Sequence, residues 1–116
     1  MHATLILGLA LIAQAAPLSV KELLTAPDRF NAQPVTVSGT MSDFRANQFR
    51  RGNAIYTFDL SEGTQTVHVV SFEKPPCRSG AVTVEGTFEH VKRRVSYSLE
   101  EITARKVTCI VDLKVK

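Results

Sequence analysis

Four short runs between Val35 and Phe88 place an apolar residue at every second position. They cover residues 35–41 (VTVSGTM), 54–60 (AIYTFDL), 66–72 (TVHVVSF) and 82–88 (VTVEGTF). Alternation of period two over runs this short marks strands with one face buried and the other in water. The first and last runs share a pattern, Val35-Thr36-Val37-Ser38-Gly39-Thr40 and Val82-Thr83-Val84-Glu85-Gly86-Thr87. A glycine deep inside a strand marks a bulge or a sharp bend. Bent strands are what closing a small barrel requires. We read the two copies as separate bent strands and not as a solenoid repeat. A fifth strand begins near Val95 and continues through Tyr97, Leu99, Ile102 and Ala104, with a bulge expected at Glu100-Glu101. The fold class that follows is all-β: one small five-stranded barrel.

The alternation assigns inward faces. Val35, Val37, Gly39 and Met41 share one face of the first strand, and Tyr56, Phe58 and Leu60 share one face of the second. The outer face of the second strand is then Ile55, Thr57 and Asp59. For the third strand the choice stays open between Thr66, His68 and Val70 outward and Val67, Val69 and Ser71 outward. Ahead of the barrel, Ser19 followed three residues later by Glu22 has the spacing of a capping box, which predicts a short helix docked by Leu23 and Leu24. Phe30 is expected as an anchor under the turn-rich connection that follows. Residues 74–80 are too few and too rich in proline to hold a full helix.

The first 16 residues read differently from the rest. An apolar stretch over residues 5–13 leads into Ala13-Gln14-Ala15 and then Ala16-Pro17, the pattern of a secretory signal peptide and its cleavage site. The n-region is only Met1-His2, and a buried N-terminal helix or strand is the alternative. A span is not expected, because crossing a bilayer takes about 20 apolar residues. The domain division is therefore 1–16 as signal peptide and 17–116 as a single barrel domain, periplasmic or secreted and monomeric. The leader carries no Lys, Arg, Asp or Glu, so the net charge of +3 belongs to the remainder. In an exported chain, two cysteines suggest a disulfide. A hairpin centred near Arg93 sets Cys77 opposite Cys109, while two buried free thiols are the competing arrangement. Their separation matches no usual zinc spacing, so no metal is expected.

The strand pattern, the N-terminal helix and the loop order together resemble the OB-fold. The resemblance is to small exported proteins of the tRNA-anticodon-binding-like type. It rests on Leu23-Leu24 with Pro27-Asp28-Arg29-Phe30, on residues 33–39 (QPVTVSG), on Tyr56-Thr57-Phe58-Asp59-Leu60 and on residues 80–88 (GAVTVEGTF). It implies a five-stranded OB barrel, while function must be argued from sites, because one fold hosts many. The periplasmic haem chaperones of cytochrome c maturation look similar too, but they carry a haem-attaching histidine in a C-terminal motif. This chain has no histidine after Val91, and neither haem nor any other cofactor is expected.

OB barrels bind ligands on the face of their second and third strands, between two flanking loops. Here those loops are the most basic places in the chain. One holds Arg45, Arg50 and Arg51 with Phe49; the other holds Lys92, Arg93 and Arg94 with Tyr97 just beyond. Cations neutralise phosphates, and an aromatic ring gives an unpaired base a stacking surface. The expected ligand is single-stranded nucleic acid or another polyanion. The alternatives are an oligosaccharide, or a protein-interaction or envelope scaffold whose basic loops are merely solvated. No phosphate loop, paired-histidine motif or nucleophile elbow is present, and no enzyme is expected. His68 has no partner by spacing and reads as structural, and His90, at a strand end, reads as a surface residue.

Overall fold

A computed structural model describes residues 16–48, 54–92 and 98–110. The expected leader, residues 49–53 and 93–97, and the C-terminal tail lie outside the described residues. The elements are β1 (Leu18–Ser19), α1 (Val20–Thr25), α2 (Pro27–Phe30), β2 (Gln33–Gln48), β3 (Ala54–Glu62), β4 (Gln65–Ser71), β5 (Gly80–Lys92) and β6 (Ser98–Cys109). The order β2-β3-β4-β6-β5 closes through a β2–β5 pairing into a five-stranded barrel of OB type. All its neighbours are antiparallel except β4 and β6. β1 lies parallel on β2 at Val37 and Ser38, filling the edge that β3 takes up from Thr40 onward.

The alternation is reproduced side chain by side chain. Val35, Val37, Met41, Tyr56, Phe58, Leu60, Val82, Val84 and Phe88 are buried, and Val67, Val69 and Ser71 face inward on β4. That settles the open choice, since Thr66, His68 and Val70 face out. The capping box forms as expected. The Ser19 hydroxyl accepts the Glu22 N–H at 3.0 Å, and Glu22 accepts the Ser19 N–H at 2.9 Å. α1 buries Val20 and Leu23 in the barrel core, with Leu24 and Phe30 packed against it. The Lys21 N–H donates to Glu62 at 2.9 Å, which places α1 at the barrel end that holds the β3–β4 turn.

The two Val-Thr-Val-x-Gly-Thr copies are each other's partners. They run antiparallel with Val35 opposite Gly86, Val37 opposite Val84 and Gly39 opposite Val82. Each glycine faces the leading valine of the other copy. At each, a third strand comes close: a Cβ on Gly39 would stand 2.9 Å from the Ser61 carbonyl oxygen, and one on Gly86 would run into the Thr103 carbonyl.

Several expectations are corrected. The bulge does not lie at Glu100-Glu101, which pair regularly with His90 and Glu89. The register slips between Glu85 and Gly86, leaving Arg105 unmatched between Ala104 and Lys106. The close approach at Gly86 is the physical reason: the strands meet there without a side chain between them. β2 runs on to Gln48 and β5 to Lys92, so Arg45 and Lys92 are strand residues and not loop residues. Cys77 and Cys109 form the disulfide, with Cα atoms 6.3 Å apart. The register that suggested it was wrong, however, because Val82 stands opposite Cys109. Cys77 reaches the bond from the connection between β4 and β5.

Candidate functional site

The register of four adjacent strands assembles one outer surface. Arg45 on β2 stands opposite Thr57 on β3, Thr57 opposite Val70 on β4, and Val70 opposite Thr103 on β6. The next row toward the disulfide end holds Ile55 on β3, Phe72 one residue beyond β4, and Arg105, which follows the Ser71–Ala104 pair. Phe72 is 61% exposed and presents a large apolar ring to this surface. Arg45 and Arg105 bound the surface on either side, on β2 and β6, with β3 and β4 between them. Both guanidinium groups are exposed. Arg45 donates to Asp43 at 3.4 Å and Arg105 to Glu85 at 3.1 Å.

The row on the other side has opposite character. Ser42, Asp59, His68 and Glu101 stand in register, and His68 Nδ1 is 3.3 Å from Asp59 Oδ1. His68 therefore has a carboxylate partner that spacing alone did not reveal. This acidic row bounds the neutral floor of Ile55, Thr57, Val70 and Thr103 on the α1 side.

Of the expected ligand-binding residues, Arg45 is part of this surface. Phe49, Arg50, Arg51, Arg93, Arg94 and Tyr97 lie outside the described residues, as does the Lys92 side chain. The strand ends that carry the two basic loops are described. Gln48 and Ala54 lie at the disulfide end. Lys92 pairs with Ser98, and β6 runs parallel to β4 with Glu101 beside His68, so this end lies near the β3–β4 turn. The loops therefore spring from opposite ends of the β3–β4 face. Phe72, Lys74, Arg105 and Lys106 escaped sequence reasoning. The legible signal was the spacing of Ala104 and Val107, three residues where alternation demands two.

Below Phe72 the barrel end is aromatic. The rings of Phe44 and Tyr56 stack at 5.6 Å and those of Tyr56 and Phe58 at 6.1 Å, while Arg78 lies over Phe44 at 5.4 Å. Burial pushes the Tyr56 phenol above its ordinary pKa. A hydrogen bond with Ser71 opposes the shift and the Glu73 charge adds to it. Up to about pH 10 the folded and unfolded states both keep the phenol proton, and Tyr56 adds no pH dependence. Above that the unfolded chain loses its proton first, so this part of the stability is lost as pH rises toward the folded-state pKa. The expected result is a steeper fall in denaturant midpoint between pH 9 and 11 for the wild type than for Tyr56→Phe. Parallel curves would show that the phenol is not held neutral by the fold.

His90 also departs from its expected surface role. Its side chain is 6% exposed, with Nδ1 3.3 Å from Glu100 and Nε2 3.7 Å from Asp28. Its backbone N–H donates to Asn31 at 2.8 Å. It ties α2 and the residue after it to the β5–β6 hairpin.

Among the described residues no group of three or more metal-ligating side chains converges, and no helix is long and apolar enough to cross a membrane. No protein-family model matches the chain, and no curated protein matches it.

Proposed function

We propose that this is an exported binding module for single-stranded nucleic acid or another polyanion. Its binding surface is the disulfide end of the β3–β4–β6 face. The observation that carries this reading is Phe72, an exposed ring on a neutral floor with an arginine at each margin. A ring of this kind offers a stacking platform to any base, and the arginines and Lys74 neutralise the backbone that passes on either side. The Asp59–Glu101 row repels phosphate and confines the polymer to the disulfide end. β2 ends at Gln48 and β3 begins at Ala54 at this same end, and Phe49, Arg50 and Arg51, between them in the chain, would extend the surface. β5 and β6 end toward the other side, at Lys92 and Ser98, and the reading does not need Arg93, Arg94 and Tyr97 between them. The disulfide supports export, since such bonds persist in oxidising compartments.

The test is binding of labelled single-stranded DNA and RNA across a salt series. With about three phosphates neutralised by Arg45, Lys74 and Arg105, log K is expected to fall against log salt with a slope of about −2. Phe72→Ala is expected to weaken binding by roughly 1–3 kcal/mol while hardly changing that slope. Arg105→Glu is expected to flatten it. No binding at low salt, or full binding by Phe72→Ala, would sink the reading and make a protein or glycan the working partner.

A further inference from the structure

A cavity of about 140 Å³ opens beside the disulfide-held connection, several times what a single water requires. Its walls come from four places in the chain. Tyr56 is on β3 and Ser71 on β4; Glu73, Lys74 and Pro76 are on the connection; and Arg105, Lys106 and Val107 are on β6.

Two features separate it from an ordinary surface dent. The first is charge. Three cations line it against one carboxylate, an excess of two positive charges. Arg105 is engaged with Glu85, whereas Lys74 and Lys106 form no ion pair among the described residues. Arg105 and Lys106 are adjacent in sequence, and on a regular strand they would point to opposite faces. The register slip at Gly86 leaves both exposed, so that both line the one cavity. The second feature is a pair of buried hydroxyls. Tyr56 is 2% and Ser71 3% exposed. The Ser71 oxygen accepts the Glu73 N–H at 3.2 Å, which ties the connection to the cavity wall. The Tyr56 phenol, held in its protonated form by burial, lines the same cavity with a hydroxyl that can donate.

We infer that this cavity is a subsite for a phosphate-like dianion, with Lys74 and Lys106 as its charges and Tyr56 as its neutral donor. A doubly charged tetrahedral group balances the excess charge and takes up several donors at once. Glu73 at the wall selects against ligands with less charge to offer the lysines. The subsite goes beyond the polyanion reading: it needs neither Phe72 nor a polymer.

The experiment is a titration of the oxidised protein with inorganic phosphate against sodium chloride of matched ionic strength, followed by amide and tyrosine NMR shifts. Saturable shifts confined to Tyr56, Ser71, residues 73–76 and 105–107 are expected with phosphate alone. Lys106→Met, a change at an exposed side chain, is expected to weaken phosphate binding about tenfold, the share of one charge-assisted hydrogen bond. Lys21→Met, on α1 at the far end of the barrel, is expected to leave it unchanged. Shifts that chloride reproduces, that scatter over many lysines, or that both variants reduce equally would overturn the subsite. Oligonucleotide binding is read separately in the salt series above, so either idea can fail while the other stands.

Discussion

Gly86→Ala is expected to destabilise the barrel by about 3 kcal/mol, the upper range of overpacking a well-filled site. The added methyl would run into the Thr103 carbonyl and stand 2.8 Å from the Ala104 Cα, all of it main chain. A side-chain clash can be relieved by a rotamer change. Here relief requires β5 and β6 to separate, and these strands are paired along eleven residues of β5. Gly39→Ala meets the Ser61 carbonyl at 2.9 Å and the flexible end of Leu60 at 3.1 Å, so its cost is expected to be clearly smaller. Urea titration of the two variants checks the ranking. Equal midpoints would mean that the β5–β6 approach is not fixed in the native state.

Reducing the disulfide is expected to have an effect of similar size through the other side of the equilibrium. Cys77 and Cys109 are 32 residues apart, and closing a loop of that length removes chain entropy worth roughly 3–4 kcal/mol from the unfolded state. The urea midpoint should therefore drop by about 2 M on reduction, taking a typical slope for a small domain. The bond also has a local task. Residues 72–79 form no helix or strand, and the disulfide and the Arg78–Phe44 contact hold them to the barrel end. Cys77→Ser/Cys109→Ser is thus expected to weaken phosphate binding even in conditions where the protein stays folded, because Lys74 loses its fixed position. A midpoint unchanged by reduction would show that the reduced chain is already as restricted as the oxidised one.

The barrel was legible because its strands alternate cleanly and its core is aliphatic and aromatic on one face. Val37 and Phe58 could be assigned inward by parity, and the Ser19–Glu22 cap by spacing, whereas on β4 parity alone left two faces open. Parity fails where strands gain a residue. The slip at Arg105 depends on how closely β6 approaches Gly86, a tertiary distance that no local pattern encodes. The pairing of Cys77 with Cys109 was anticipated from a hairpin register that the structure does not have. Phe72 read as the end of its strand with its facing left open, and it lies one residue past the end of β4 on the outward side. The basic loops drew attention because charge is visible in a sequence. The cavity between Tyr56 and Lys106 was not visible, since its walls come from segments far apart in the chain.

The pairing of the two Val-Thr-Val-x-Gly-Thr copies has a further consequence for how the chain avoids misassembly. Each copy has nearly the residues of its partner, so each is also nearly complementary to itself. A second molecule can therefore offer β2 to β2, or β5 to β5, in the register that the barrel uses internally. Inside one molecule the connection through β3 and β4 keeps the correct partner at high effective concentration, which decides the competition in dilute solution. Crowded, partly unfolded chains lose that advantage and can exchange strands with one another. Closure of the barrel, by leaving neither edge of this pair free, is then the safeguard against a hazard written into its own repeated segment.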